Sequence, residues 1–180
     1  MKNTKGLIHV YTGKGKGKST AALGLALRAS GWGMNVCVYQ FMKKGVNGAN
    51  KAAKFLSATL KVVTFDQTHP SFYHKDLKKK AKNILQDKIT QDLKTVKETL
   101  LLGNYDIVIL DEIVNAIKEK YIEKKEILSL LDLKFRTSEL ILTGRGAPKW
   151  LVNKADYATE MRLVKHPYYK GIKARKGIEY

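Results

Sequence analysis

Short apolar runs alternate with longer amphipathic stretches along the chain. Leu7-Ile8-His9-Val10-Tyr11 reads as a buried strand and Ala21 to Arg28 as a helix. Asn35 to Phe41 is a second buried strand, introduced by the turn-like Gly31-Trp32-Gly33. Met42 to Asn50, with Gly45 and Gly48, reads as a loop, followed by a short helix near Lys51 to Ala58. Leu60 to Phe65 predicts a third strand, and residues 66–74 an irregular aromatic segment. From Lys75 to Leu102 the apolar positions Leu77, Ala81, Ile84, Leu85, Ile89, Leu93, Val96 and Leu100 recur at helical spacing, and Gly103-Asn104 ends that helix. Ile107 to Leu110 is a fourth strand, and residues 112–132 are helical with a break near Tyr121. Glu139 to Leu142 is a fifth strand, Ala147 to Asn153 a short helix and Ala158 to Leu163 a sixth strand.

Such alternation predicts an α/β fold, a mostly parallel sheet of about six strands with helices on both faces. It occupies residues 1–163 as one domain. Residues 164–180 are basic, aromatic and glycine-punctuated without a clear period, which predicts an extended tail able to act as a lid over the site.

Composition narrows the class. At 180 residues and 44% hydrophobic content the chain is long and apolar enough for one well-packed domain. No apolar run approaches the ~20 residues that a membrane-spanning helix needs. Met1-Lys2-Asn3-Thr4-Lys5 carries no signal-peptide pattern, and the single cysteine, Cys37, has no partner. His9, His69, His74 and His166 offer no zinc spacing with it. These features predict a cytoplasmic, reduced protein without a structural metal or a membrane partner. The net charge of +18 favours anionic partners and raises a nucleic-acid reading. However, the acids are interleaved among the lysines, and the longest basic cluster, Lys75 to Lys82, also suits a solvated helix face.

The chemistry concentrates between the first strand and its helix, at Gly13-Lys14-Gly15-Lys16-Gly17-Lys18-Ser19-Thr20. A glycine-rich turn there aims backbone N–H groups and the positive end of a helix dipole at one spot, which binds phosphate. Lys18 adds a charge on the phosphates and Ser19 a hydroxyl for Mg²⁺ (or Mn²⁺). The pattern differs from the ordinary P-loop, since Thr12 stands where the first glycine belongs and the loop is one residue short. The alternative is a flexible lysine-rich surface turn. The second strand-end motif is Asp111-Glu112, whose carboxylates suit the metal beside the phosphates. The same pair also suits an ordinary helix N-terminus.

In Thr143-Gly144-Arg145-Gly146-Ala147-Pro148, Arg145 either reaches the nucleotide or stands in a flexible turn before a helix. Arg28 either faces the nucleotide or is a surface charge. Phe72, Tyr73 and His74 lie in a strand-end loop, where they contact a flat ligand or cap the core. No residue stands out as a general base, so Lys18 and Glu112 are the candidate catalytic residues, acting through charge and position.

Several blocks together resemble the P-loop-type ATP:corrinoid adenosyltransferases. They are Gly6-Leu7-Ile8, Tyr11 to Arg28, Val38 to Lys43, Leu110-Asp111-Glu112-Ile113, Leu142 to Pro148, Thr159-Glu160-Met161-Arg162, Val164-Lys165-His166-Pro167 and Lys176 to Tyr180. The resemblance implies transfer of the 5′-deoxyadenosyl group of ATP to the cobalt(I) of a corrinoid, with release of triphosphate. It also implies a reversed nucleotide, a homodimer and a reductase that supplies cobalt(I). In that reading Gly13 to Thr20, Arg28 and Arg145 meet ATP, Ser19 and Glu112 approach the metal, and Phe72 with His74 face the corrinoid. Lys14, Ala49, His74 and Val114-Asn115 depart from the residues common in the family. The other readings are an ATP-dependent nucleic-acid-binding protein and an ATP-binding paralogue without corrinoid chemistry.

Overall fold

A computed structural model describes residues 6–56, 58–67, 78–134 and 138–179. Its strands are β1 (Ile8–Thr12), β2 (Val36–Gln40), β3 (Leu60–Thr64), β4 (Ile107–Asp111), β5 (Glu139–Thr143) and β6 (Tyr157–Glu160). Its helices are α1 (Lys18–Gly31), α2 (Gly48–Leu56), α3 (Lys78–Leu102), α4 (Ile113–Lys118), α5 (Lys124–Lys134) and α6 (Lys149–Lys154). All six strands are parallel, in the order β3-β2-β4-β5-β1-β6. Because β5 inserts between β1 and β4, the loops that follow these three strands open side by side at one end of the sheet. That end is where open parallel sheets bind ligands.

The period of two along each strand divides the core between the two faces of the sheet. Ile8, Val10, Cys37, Tyr39, Val108, Leu110, Leu140 and Leu142 join one apolar cluster with α3, α4, α5 and α6. Val36, Val38, Ile107, Ile109 and Ile141 join the other, beneath Ala22, Ala26 and Ala29 of α1 and Ala53 of α2. The alanine stripe lets α1 lie close on the sheet, and so brings its N-terminus to the end of β1. On α3 the stripe is Leu85, Ile89, Leu93, Val96 and Leu100, all buried, whereas Ile84 falls off it and is half exposed.

Several boundaries differ from the sequence expectation, each for a local reason. Helix α1 begins at Lys18 rather than Ala21, because Gly17 adopts φ 117° as the preceding cap. Ser19 and Thr20 therefore belong to the first helical turn. The helical stretch after β4 breaks near Tyr121 as expected, between Lys118 and Lys124, where Lys120 takes φ 58° and Tyr121 is buried. Strand β6 stops at Glu160, and the Met161 carbonyl turns to accept the Gly15 N–H at 2.7 Å. The tail is not extended throughout, since Pro167–Lys170 forms a 3-10 turn capped by the His166 side chain. Phe72, His74 and the first residues expected for the long helix lie outside the described residues.

Candidate nucleotide site

The loop between β1 and α1 is shaped by close backbone approach. A Cβ on Gly13, whose φ is 101°, would stand 2.4 Å from the Met161 carbonyl oxygen, and one on Gly15 would stand 2.7 Å from the carbonyl oxygens of Met161 and Arg162. Only glycine fits at either place. Thr12 has a function of its own, because its hydroxyl accepts the Ala147 N–H at 3.0 Å and so ties the phosphate loop to the loop after β5. Lys14 and Lys16 are exposed, as are Thr20 and Arg28, while Ser19 is half-buried. Arg28 lies close enough to Tyr11 to favour its ionised form, an effect that burial of the ring outweighs.

Lys18 is buried, and its Nζ donates to the carbonyl oxygens of Gly13 at 2.8 Å and Gly15 at 2.7 Å. An ammonium has three N–H donors, so the loop engages two and leaves one for a further acceptor. Burial pushes this ammonium below its ordinary value; Glu112 and Asp111 draw it back up, and Arg145 presses it down. The lysine of the phosphate loop and the acidic pair after β4 therefore share one electrostatic environment.

The acidic pair is held by groups that were not evident in the sequence. Asp111 is buried, with Oδ1 accepting the Thr143 hydroxyl at 2.7 Å and Oδ2 paired with Lys43 Nζ at 2.5 Å. The same Thr143 Oγ1 accepts the Glu112 N–H at 3.0 Å. Glu112 stands in the left-handed region at φ 67°, a rare conformation for a side-chain-bearing residue, and its Oε2 accepts from Asn115 Nδ2. Asn115 Oδ1 accepts the Arg145 N–H at 2.6 Å. A cleft of about 410 Å³ opens among Met42, Lys43, Glu112, Asn115, Lys118 and Arg145. The structure thus brings Lys18, Asp111, Glu112 and Arg145 together and adds Lys43, Thr143 and Asn115. It leaves Arg28 at the surface.

Burial, and then the neighbouring Asp111, raise the Glu112 carboxyl above its ordinary value of 4.5. The native state therefore holds this proton to higher pH than the unfolded chain does, and loses stability as pH rises through that window. Glu112→Gln removes the cost. Without nucleotide or metal, the variant should melt about 2–4 °C above the parent at pH 7, as ~1 kcal/mol does in a chain of this size. The advantage should shrink towards zero as pH falls to about 4, which thermal melts across that range would check.

A buried and a half-buried carboxylate, a serine hydroxyl and a lysine at a glycine-rich strand-to-helix turn define a nucleotide-binding α/β protein of the P-loop kind. The family is then given by the whole chain. Residues 4–180 match the family described as ATP:corrinoid adenosyltransferase BtuR/CobO/CobP, and the chain belongs to that family of transferases. A corrinoid adenosyltransferase of Pseudomonas aeruginosa is 32% identical over 179 residues, covering 99% of this chain and 86% of the relative. Corrinoid adenosyltransferase CobA of Salmonella typhimurium is 34% identical over 177 residues, covering 98% and 86%. Among solved structures, the flagellar accessory protein FlaH of Methanocaldococcus jannaschii shares the fold, with a TM-score of 0.58 at 15% identity over 87% of this chain and 71% of that one.

Proposed function

We propose that this protein moves the 5′-deoxyadenosyl group of ATP to the cobalt(I) of a corrinoid and releases inorganic triphosphate. The observation that carries the reading is the convergence of Lys18 with Asp111, Glu112 and Arg145 at one end of the sheet, in a chain that belongs to this family throughout. In the transfer, cobalt(I) supplies the electron pair that forms the Co–C5′ bond. The C5′–O bond breaks, and its electrons leave with the triphosphate. No proton has to be removed from a nucleophile, so the site needs charge stabilisation and positioning rather than a general base.

Apart from Gly15, whose N–H is given to Met161, the residues from Gly13 to Thr20 hold the triphosphate through backbone N–H groups, Lys18 places one N–H on it, and Arg145 adds a second cation. The shortened loop accords with the reversed nucleotide of the family. The donor set also fits Mg²⁺. Asp111 and Glu112 are adjacent hard oxygen ligands, and burial of Glu112 outweighs the pull of Lys43, Lys18 and Arg145 on its charge. Among the described residues, no group of three or more His, Cys, Asp or Glu side chains is placed to hold a metal ion. Ser19 and the phosphates would therefore complete the coordination, as is usual for this ion. When bound, the metal neutralises charge on the departing triphosphate.

Several further expectations belong to this reading. The protein works as a cytoplasmic homodimer and receives cobalt(I) from a reductase, and Phe72 with His74 face the corrinoid. No helix among the described residues is long and apolar enough to cross a membrane. Residues 164–180 act as a lid, a role supported by the contact of Glu179 with Lys16 of the phosphate loop at 3.0 Å. Glu179 is held down to about 2 by Arg175 and Lys16, so this contact persists throughout the neutral range. Almost all of the described tail is exposed. Truncation after Leu163 should therefore lower the melting temperature by no more than about 4 °C, roughly 1 kcal/mol. Turnover should fall by at least about tenfold, the scale of one lost site interaction. A large loss of thermal stability instead would make the tail part of the core.

The product distinguishes this reaction from nucleotide hydrolysis. Phosphorus NMR of the reaction with Mg-ATP and a reduced corrinoid should show free triphosphate in step with adenosylation. Release of ADP and orthophosphate instead would contradict the assignment.

A further inference from the structure

Asn115 stands on the first turn of α4, three residues after Glu112, and joins two parts of the site that are distant in sequence. Its Nδ2 donates to Glu112 Oε2, and its Oδ1 accepts the Arg145 N–H at 2.6 Å. Proton inventory settles the orientation of the amide. Turned over, it would set its NH₂ against an N–H donor and its oxygen against a carboxylate. The approach is tight as well. A Cβ on Gly144, whose φ is 142°, would stand 2.8 Å from the Asn115 backbone nitrogen and 2.9 Å from its Oδ1. The loop after β5 therefore lies directly on this side chain. Asn115 also lines the cleft beside Glu112 and Arg145.

We propose that Asn115 is a positioning residue for the adenosyl transfer, setting the rotamer of Glu112 and the placement of Arg145 through a single amide. The proposal rests on the role of Glu112 given under Proposed function. Glu112 holds its backbone in a sparsely populated conformation. Among the described residues, Asn115 is the hydrogen-bond donor recorded on that carboxylate. An amide suits both contacts because it donates from one end and accepts at the other. Aspartate and leucine each lack at least one of these capacities.

The test is a double-mutant cycle on ATP affinity, measured by calorimetry at fixed Mg²⁺ and accompanied by turnover and thermal melts. Asn115→Leu and Glu112→Gln should each raise the Kd for ATP by about tenfold, the scale on which groups supporting a ligating side chain act. The double variant should be no more than about twofold worse than Glu112→Gln alone, since residues acting through one another do not add. Asn115→Asp keeps the acceptor for the Arg145 N–H and so preserves the loop, but it sets a like charge against Glu112. It should melt no more than about 4 °C below the parent and lose at least about tenfold in kcat. An additive cycle, or an Asp variant with parental Kd and kcat, overturns the proposal while leaving the role of Glu112 intact. A parental Kd and kcat for Glu112→Gln overturns both.

Discussion

Lys18→Ala should weaken ATP binding by at least about 100-fold, equivalent to roughly 3 kcal/mol from charge-assisted hydrogen bonds lost in a buried site. Lys18 is buried at the start of α1, its Nζ clasps the carbonyls of Gly13 and Gly15, and its charge meets Glu112, Arg145 and Asp111. The same bonds curl the loop, so alanine removes both a cation and the brace that shapes the N–H cradle. The fold should survive, because the loop lies at the end of the sheet and neither core cluster includes it. Equilibrium binding with a well-folded variant is the check, and an unchanged ATP affinity would remove the phosphate-loop assignment.

Asp111→Asn should cost the next most. Asparagine preserves the shape and still accepts the Thr143 hydroxyl, but the charge facing Lys43 is lost. Lys43 is about a third exposed, so water takes over part of its solvation and the stability loss stays below the 3–5 kcal/mol typical of a fully buried broken pair. Turnover should fall by about 10²–10³, the range seen when one preorganised electrostatic group is removed. ATP binding should become less sensitive to Mg²⁺. Full turnover in the Asn variant would exclude Asp111 from the site.

Local chemistry and periodicity were legible in the sequence. The strand-turn-helix around Gly13 to Thr20, the acidic pair after an apolar strand and the parallel α/β layout all depend on residues close together in the chain. The pairings that organise the site could not be read in that way. Lys43 meets Asp111, Asn115 meets Arg145 and Gly15 meets Met161 because β4 lies between β2 and β5, with β6 beside β1. Strand order is a property of the closed core and not of any single segment. Gly-Arg-Gly left the course of this loop open; the close approach at Gly144 and the bond from the Arg145 N–H to Asn115 fix its backbone against α4. Thr12 looked like a defect in the loop, yet it is the acceptor that holds the neighbouring loop in place.

Adenosyl transfer to a reduced corrinoid is tested by anaerobic mixing of the protein with Mg-ATP and chemically reduced cob(I)alamin. The light-sensitive spectrum of adenosylcobalamin should grow with triphosphate one for one. ATP bound by the folded protein with no adenosylated product would contradict it.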